Sequence, residues 1–145
     1  MGKWMVRALM VWGLLLTSTA QGTATFDKDY ALVFFFRSDC GFCHRFAPVI
    51  ERVSEQQGLF IYPFSMDGGV LPEYQQPLRA TPDIVSSFYG SDARGVPTAY
   101  LVNVNTNRFV QVARGFIDGT QLQQRINQVR NDAHLLQSLA AGGVQ

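Results

Sequence analysis

The strongest hydrophobic pattern in the chain is an uninterrupted apolar run, Tyr30–Phe36. Because polar residues do not alternate with apolar ones, this run is typical of a central strand that is buried on both faces. An amphipathic run follows over residues 42–57, and it predicts a helix that Gly58 ends and Pro48 kinks. The apolar stripe of that helix consists of Phe42, Phe46, Val49, Ile50 and Val53.

The middle of the chain predicts a second strand, a long loop and a short helix. The strand covers residues 59–65, and Pro63 within it favours an edge position. Residues 66–80 are irregular and are expected to lie over the surface near the functional site. The segment Thr81-Pro82-Asp83 has the residues of a helix start, and Gly90 marks the end of that helix. Its expected buried residues are Ile84, Val85 and Phe88.

The C-terminal part predicts an antiparallel hairpin and a final helix. Strands at residues 98–104 and 109–113 are joined by a polar turn. The last helix is expected to run without a break over residues 120–140. The element order β-α-β-α-β-β-α predicts an α/β sandwich built on a mixed four-stranded sheet.

The first 20 residues have the pattern of a secretory signal peptide. Lys3 and Arg7 precede the apolar residues 8–16, and small residues lead up to Ala20, where we expect cleavage. An uncleaved anchor is the alternative. The predicted organisation is a signal peptide (1–20), a short lead-in (21–29), one domain (30–141) and a tail (142–145).

Charge argues against two classes of partner. Loss of Lys3 and Arg7 takes the formal charge of the chain from +1 to −1. A nearly neutral protein has no electrostatic reason to bind nucleic acid or an anionic membrane.

The only cysteines, Cys40 and Cys43, stand where the predicted helix begins. Residues three apart on a first helical turn share a face, so the two sulfurs can form a disulfide with little backbone movement. With Asp39 as the expected N-cap, the helix dipole and free N–H groups would stabilise a thiolate on Cys40. We therefore expect Cys40 to be an exposed nucleophile and Cys43 a buried resolving thiol.

Neighbouring residues are candidates for tuning this pair. Gly41 and Phe42 separate the cysteines and would set thiolate stability, although Phe42 is equally suited to be the first core residue of its helix. Charged or titratable groups near Cys40 would shift its pKa. The candidates are Arg37, Asp39, His44 and Arg45, and each of the two arginines is equally consistent with a solvated surface group.

Three other functions of the cysteine pair are compared with the sequence pattern. Cys40 to His44 matches C-x-x-C-H, the attachment motif of c-type haem, with Met66 or His134 as the distal ligand. A zinc site is disfavoured because neither histidine has zinc-ligand spacing from the pair. A static structural disulfide is disfavoured because so short a loop constrains little of the unfolded chain.

The chain resembles thioredoxin-fold oxidoreductases, in which a redox pair begins a helix after a central strand. Pro48 matches the proline of that helix, and Val96-Pro97-Thr98 matches the cis-proline loop of the family. The resemblance implies a three-layer sandwich, a cis peptide bond at Pro97 and a substrate-facing role for Val96. It implies no cofactor or metal beyond the Cys40–Cys43 disulfide.

A narrower resemblance is to the TrbB family, thioredoxin-like disulfide isomerases of F-type conjugative transfer systems. It rests on the segments Cys40-Gly41-Phe42-Cys43-His44-Arg45-Phe46 and Tyr100-Leu101-Val102-Asn103-Val104-Asn105-Thr106. The resemblance implies a periplasmic oxidoreductase or isomerase that acts on exported cysteine-containing proteins of pilus assembly. It also implies a membrane-bound partner that recycles the disulfide.

Some features depart from these families. Tyr30–Phe36 has no carboxylate, whereas thioredoxins bury an acid there to move protons for the resolving cysteine. Only residues 21–29 are expected to precede the central strand, fewer than the first strand and helix of thioredoxin or an N-terminal dimerisation domain would need. A non-catalytic assembly or chaperone module and a small exported haem protein are therefore kept as alternative functions.

Overall fold

The computed structural model describes residues 26–92 and 94–141. The predicted signal peptide and its cleavage site, residues 21–25 of the lead-in and the tail at 142–145 lie outside these ranges. Within them, no helix is both long and apolar enough to cross a membrane.

The centre of the molecule is a mixed five-stranded sheet. Its strands are β1 (Tyr30–Phe36), β2 (Phe60–Ser65), β3 (Leu78–Arg79), β4 (Thr98–Asn103) and β5 (Phe109–Arg114). They lie side by side in the order β3-β2-β1-β4-β5. β1 pairs in parallel with β2 and antiparallel with β4, and β4 and β5 form the predicted antiparallel hairpin. The predicted four-stranded sheet therefore has a fifth member. β3 was missed because it is only two exposed residues in an irregular loop.

Two predicted boundaries in the helical part were wrong. The lead-in contains one helical turn, and the final helix is divided at Asp132, whose backbone is extended. Asp132 ends one helix through its N–H and begins the next by accepting a hydrogen bond from the N–H of Leu135 at 2.9 Å. The helices are α1 (Phe26–Asp29), α2 (Gly41–Gln57), α3 (Pro82–Tyr89), α4 (Gly119–Asn131) and α5 (Ala133–Ala140).

The helices pack on both faces of the sheet, with α2 and α4 on one face and α3 on the other, and this gives the expected three layers. Alternate residues of β1 supply both faces: Phe34 and Phe36 enter the core beneath α2 and α4, while Phe35 enters the core beneath α3. All seven residues of β1 are buried, as the apolar run predicts. The protein thus has a hydrophobic core on each face of its central strand.

The loop over residues 66–80 is more buried than expected. Leu71 and Tyr74 are buried in the core beneath α2, and a short antiparallel bridge joins them. On α3 the expected core residue Val85 is buried, whereas Ile84 and Phe88 are only partly covered. These differences arise because tertiary packing, rather than local pattern, decides which side of a short segment is covered.

Pro63 lies at an edge, although β2 is not the outermost strand. β3 pairs only with Phe64 and Ser65, so the rest of that side of β2 has no neighbouring strand. The carbonyl of Ser65 accepts a hydrogen bond from Ala80 on this outer side. Backbone polar groups alternate in direction along a strand, so Pro63 also faces outward, where its missing N–H leaves no gap in a ladder.

Candidate active site

Cys40 and Cys43 are joined by a disulfide at the start of α2, with Cα atoms 5.2 Å apart. β1 ends at Phe36, and a short turn brings the chain to Cys40, which is the N-cap of the helix. The expectation that Asp39 caps α2 was wrong. The Sγ atom of Cys40 takes that role and accepts a hydrogen bond from the backbone N–H of Cys43 at 3.1 Å.

The two cysteines differ in exposure. Cys43 is completely buried among the side chains beneath α2, whereas Cys40 is partly exposed. The Sγ atom of Cys40 lies at the positive end of a 17-residue helix. This arrangement allows an external sulfur to reach Cys40 and shields Cys43.

The loop before β4 lies against the disulfide. The Val96–Pro97 peptide bond is cis, as the family resemblance implies, and Pro97 is buried. The carbonyl oxygen of Val96 lies 3.9 Å from Sγ of Cys40. The backbone of Val96 is therefore beside the sulfur that would react.

Tyr89 anchors this loop, a contact that the sequence did not suggest. Its hydroxyl donates a hydrogen bond to the carbonyl of Gly95 at 2.9 Å, and Thr98 donates to the same carbonyl at 2.8 Å. Burial raises the pKa of Tyr89 to about 12, so the hydroxyl keeps its proton at neutral pH. α3 thus fixes the cis-proline loop from the far side of the sheet.

The candidate tuning residues are placed in different ways. Arg37 binds Asp39 through two hydrogen bonds of 2.9 Å. The hydrogen bond from Arg37 lowers the pKa of Asp39, and the same hydrogen bond raises the pKa of Arg37. The Nε2 atom of His44 lies 2.7 Å from the carbonyl oxygen of Ser38, and the guanidinium of Arg45 lies over two aromatic rings.

Asp67, a carboxylate that no sequence motif marks, holds the turn before Cys40. Asp67 accepts hydrogen bonds from the N–H and the hydroxyl of Ser38 at 2.9 and 2.7 Å, and from the N–H of Gly69 at 3.1 Å. A Cβ atom at Gly69 would collide with the side chain of Ser38, so glycine is required there for this close approach. Partial burial would raise the pKa of Asp67, but the hydrogen bonds from Ser38, Gly69 and Ser65 outweigh it and lower the pKa to about 2.

Asp67 is expected to make stability depend on acid. A lowered pKa means that the ionised carboxylate stabilises the folded state fully above its ordinary value near 4, and that this stabilisation is lost as pH falls towards 2. In Asp67→Asn we expect a lower melting temperature at pH 6 and a smaller fall of that temperature between pH 5 and 2. Circular dichroism melts at each pH test this, with Asp27→Asn, an exposed carboxylate of α1, as control. Parallel curves for Asp67→Asn and the native chain would contradict it.

The missing carboxylate of β1 is not replaced by Tyr74, a buried group in the same core as Cys43. Its hydroxyl has no hydrogen-bond partner among the described residues. Burial raises the pKa of Tyr74 strongly, and the nearby carboxylate of Glu51 adds to the rise without meeting hydrogen-bond geometry. Tyr74 therefore stays protonated and does not serve as a base for Cys43.

The site fits covalent haem poorly. A thioether to Cys43 would have to form at a completely buried sulfur, and His44 turns Nε2 to the carbonyl of Ser38. Within residues 26–92 and 94–141, no three His, Cys, Asp or Glu side chains are grouped as metal ligands are. The pair is instead arranged for disulfide chemistry.

A comparison with protein-family models decides the family. Residues 17–127 match the family described as TraF: F plasmid transfer operon protein, which is well over half of the chain. The chain belongs to the TraF family. A curated relative, Protein TrbB of Escherichia coli (strain K12), is 29% identical over 101 residues, which are 70% of this chain and 56% of TrbB. This TraF-family chain thus spans just over half the length of that relative, and the resemblance to TrbB is confirmed.

Solved structures confirm the thioredoxin fold of this TraF-family chain. The thioredoxin domain of a thiol-disulfide oxidoreductase from Bacteroides vulgatus has a TM-score of 0.51 at 20% identity, covering 73% of this chain and 82% of that domain. An exposed lipoprotein thioredoxin (Etrx1) from Streptococcus pneumoniae has a TM-score of 0.53 at 16% identity, covering 71% and 87%. This TraF-family chain therefore has the thioredoxin fold, with the Cys40–Cys43 disulfide at the start of α2.

Proposed function

We propose that this TraF-family chain is a periplasmic thiol–disulfide oxidoreductase that acts on cysteine pairs of exported proteins. The observation that carries the proposal is the disulfide at the start of α2, with Cys40 partly exposed beside the carbonyl of Val96 and Cys43 buried. The secretory pattern of residues 1–20 supports the location. The family is described as an F plasmid transfer operon protein. This description supports the proposal that the clients are pilus-assembly and conjugative transfer proteins.

Oxidation of a client would proceed in two exchanges. A client thiolate attacks Sγ of Cys40, the Cys40–Cys43 bond breaks, and the Cys43 thiolate leaves and takes a proton. A second client thiolate then attacks the client sulfur of the mixed disulfide and releases the Cys40 thiolate. The client gains a disulfide, and the enzyme is left as a dithiol for a membrane-bound partner to reoxidise.

Reduction and isomerisation use the same groups in the opposite order. In both reactions the Cys40 thiolate attacks a client disulfide and forms a mixed disulfide. In reduction, the Cys43 thiolate then attacks Sγ of Cys40 and releases the client as a dithiol. In isomerisation, another client thiolate attacks the client sulfur and releases Cys40, so that the client is rearranged without net oxidation. The N–H of Cys43 and the positive end of α2 stabilise the thiolate of Cys40. The cis-Pro97 loop would align the client backbone with the carbonyl of Val96.

The direction of the reaction depends on the reduction potential. A value near −270 mV would place the chain with reductants such as thioredoxin, and about −120 to −180 mV with oxidases and isomerases. The potential is measured by equilibration with glutathione buffers and thiol alkylation, read as a gel shift. The disulfide itself is the proposed redox group, without a further cofactor.

Replacing Cys43 with alanine should trap clients on Cys40. Without the buried thiol, the mixed disulfide cannot be resolved within the enzyme, so adducts sensitive to dithiothreitol should accumulate. Periplasmic extracts from cells that express Cys43→Ala are quenched with acid and run on non-reducing gels. The double variant Cys40→Ala/Cys43→Ala is the control and should give none. Equal bands in both variants, or none in either, would overturn the proposal.

A further inference from the structure

A cationic side chain lies on an aromatic shelf next to the disulfide. The guanidinium carbon of Arg45 is 5.4 Å from the centre of the Phe42 ring and 4.7 Å from the centre of the Phe116 ring. Phe42, which lies between the two cysteines, is 57% exposed. We call these three side chains the Arg45 shelf.

The shelf is fixed to the same structure that presents the redox pair. Phe116 packs against the ring of Phe46 in the core at 6.3 Å, edge to face. The N–H of the preceding residue, Gly115, donates a hydrogen bond to the carbonyl of Pro97 at 2.8 Å. The loop that carries Phe116 is therefore tied to the cis-proline loop, and the shelf borders the surface where a client would dock.

Arg45 has no anionic partner among the described residues. In contrast, Arg37 in the preceding turn is bound to Asp39 by two hydrogen bonds. Contact with the face of an aromatic ring restricts a guanidinium but leaves the N–H groups along its edge free. Such a group is prepared to bind a planar carboxylate through two parallel hydrogen bonds.

We propose that Arg45 binds a client carboxylate close to the cysteine that exchanges with Cys40. This inference rests on the proposed function and names a substrate class for it: cysteine segments with a nearby aspartate or glutamate. Arg45 is five positions after Cys40, a helical rise of about 7.5 Å. An extended client advances about 3.3 Å per residue, so the acid lies about two or three residues from the cysteine.

The test uses two peptides with one cysteine that differ only by Asp or Asn three residues away from it. Each is supplied as its mixed disulfide with uncharged 2-mercaptoethanol. The reduced Cys43→Ala variant is the enzyme: its Cys40 thiolate attacks the peptide sulfur, and the mercaptoethanol thiolate leaves and takes a proton. The rate of adduct formation is followed by mass spectrometry, with the acid placed before the cysteine in one pair and after it in another.

We expect the Asp peptide to react about fivefold faster than the Asn peptide in at least one pair, because an exposed ion pair contributes up to about that factor. Arg45→Gln in the Cys43→Ala background should remove the preference, so that the Asp and Asn peptides of each pair react at equal rates. Arg52→Gln, a change of an exposed arginine farther along α2, should retain it. The preference should also shrink when salt is raised to 0.5 M.

Other outcomes separate the inference from the function on which it rests. Equal rates for all Asp and Asn peptides would overturn the carboxylate site and leave the exchange activity standing. A uniform slowing by Arg45→Gln, together with a shifted pH profile for alkylation of Cys40, would show that Arg45 tunes the thiol, and would overturn the inference. No adduct with any peptide would count against the proposed function itself.

Discussion

Replacing Cys40 with serine is expected to abolish thiol–disulfide exchange. A hydroxyl cannot form the mixed disulfide on which both exchanges depend, and the other sulfur, Cys43, is completely buried. The rate of insulin reduction in the presence of dithiothreitol, followed by turbidity, should fall to the uncatalysed rate. Activity within tenfold of the native chain would contradict the assignment of Cys40 as nucleophile.

The matched control for this variant is Cys43→Ser. It also removes the disulfide, so any loss of stability from breaking the bond is shared by both variants. Only Cys43→Ser keeps the sulfur that lies beside the Val96 carbonyl. It should therefore still be alkylated and form adducts, whereas Cys40→Ser should do neither.

Replacing Phe35 with alanine is expected to have the largest effect on stability. Phe35 is fully buried in β1 and is the centre of an aromatic cluster. The loss of a buried phenyl ring and the remaining cavity cost about 3 to 5 kcal/mol of unfolding free energy. Its ring neighbours, with centroid separations of 5.2 to 6.0 Å, are Phe64, Phe88, Tyr89 and Tyr100.

Urea denaturation of the oxidised protein, followed by circular dichroism, measures this loss. Phe60→Ala is the control because the Phe60 side chain is 64% exposed and loses little burial on truncation. We expect that control to cost less than about 1 kcal/mol. Similar midpoints for the two variants would show that the core beneath α3 is not a major source of stability.

Much of the fold was predictable because its signals are local. The apolar run of β1 and the stripe of α2 depend on residues close in sequence, and both elements formed nearly as expected. The exception is Phe42, which was expected in the stripe of α2 but is 57% exposed and is not a core residue. Gly58 in the left-handed conformation ends α2, and Thr81 caps α3 with Pro82 in its first turn. The cis bond at Pro97 followed from the family resemblance, since a local pattern alone would not have distinguished it from a trans bond.

The features that were missed depend on contacts between distant parts of the chain. Asp67 binds Ser38 across 29 residues, and nothing near either residue indicates the other. Tyr89 reaches the loop before Pro97 only after α3 has packed on the sheet. The hydrogen-bond partner of such a side chain depends on which groups the folded structure brings next to it, and the spacing of residues in the sequence does not show this.

The outward-facing Pro63 also affects how copies of the protein meet one another. β2, whose outer edge is partly uncovered, also carries the exposed apolar side chains of Phe60 and Tyr62, which project from a face of the sheet. A strand with such side chains and a free row of backbone donors would be a template for pairing with a second sheet, which is the first step of aggregation. Pro63 removes a donor in the middle of that row. The same residue that suits the open side of β2 thus protects a sheet with an incomplete edge from self-association.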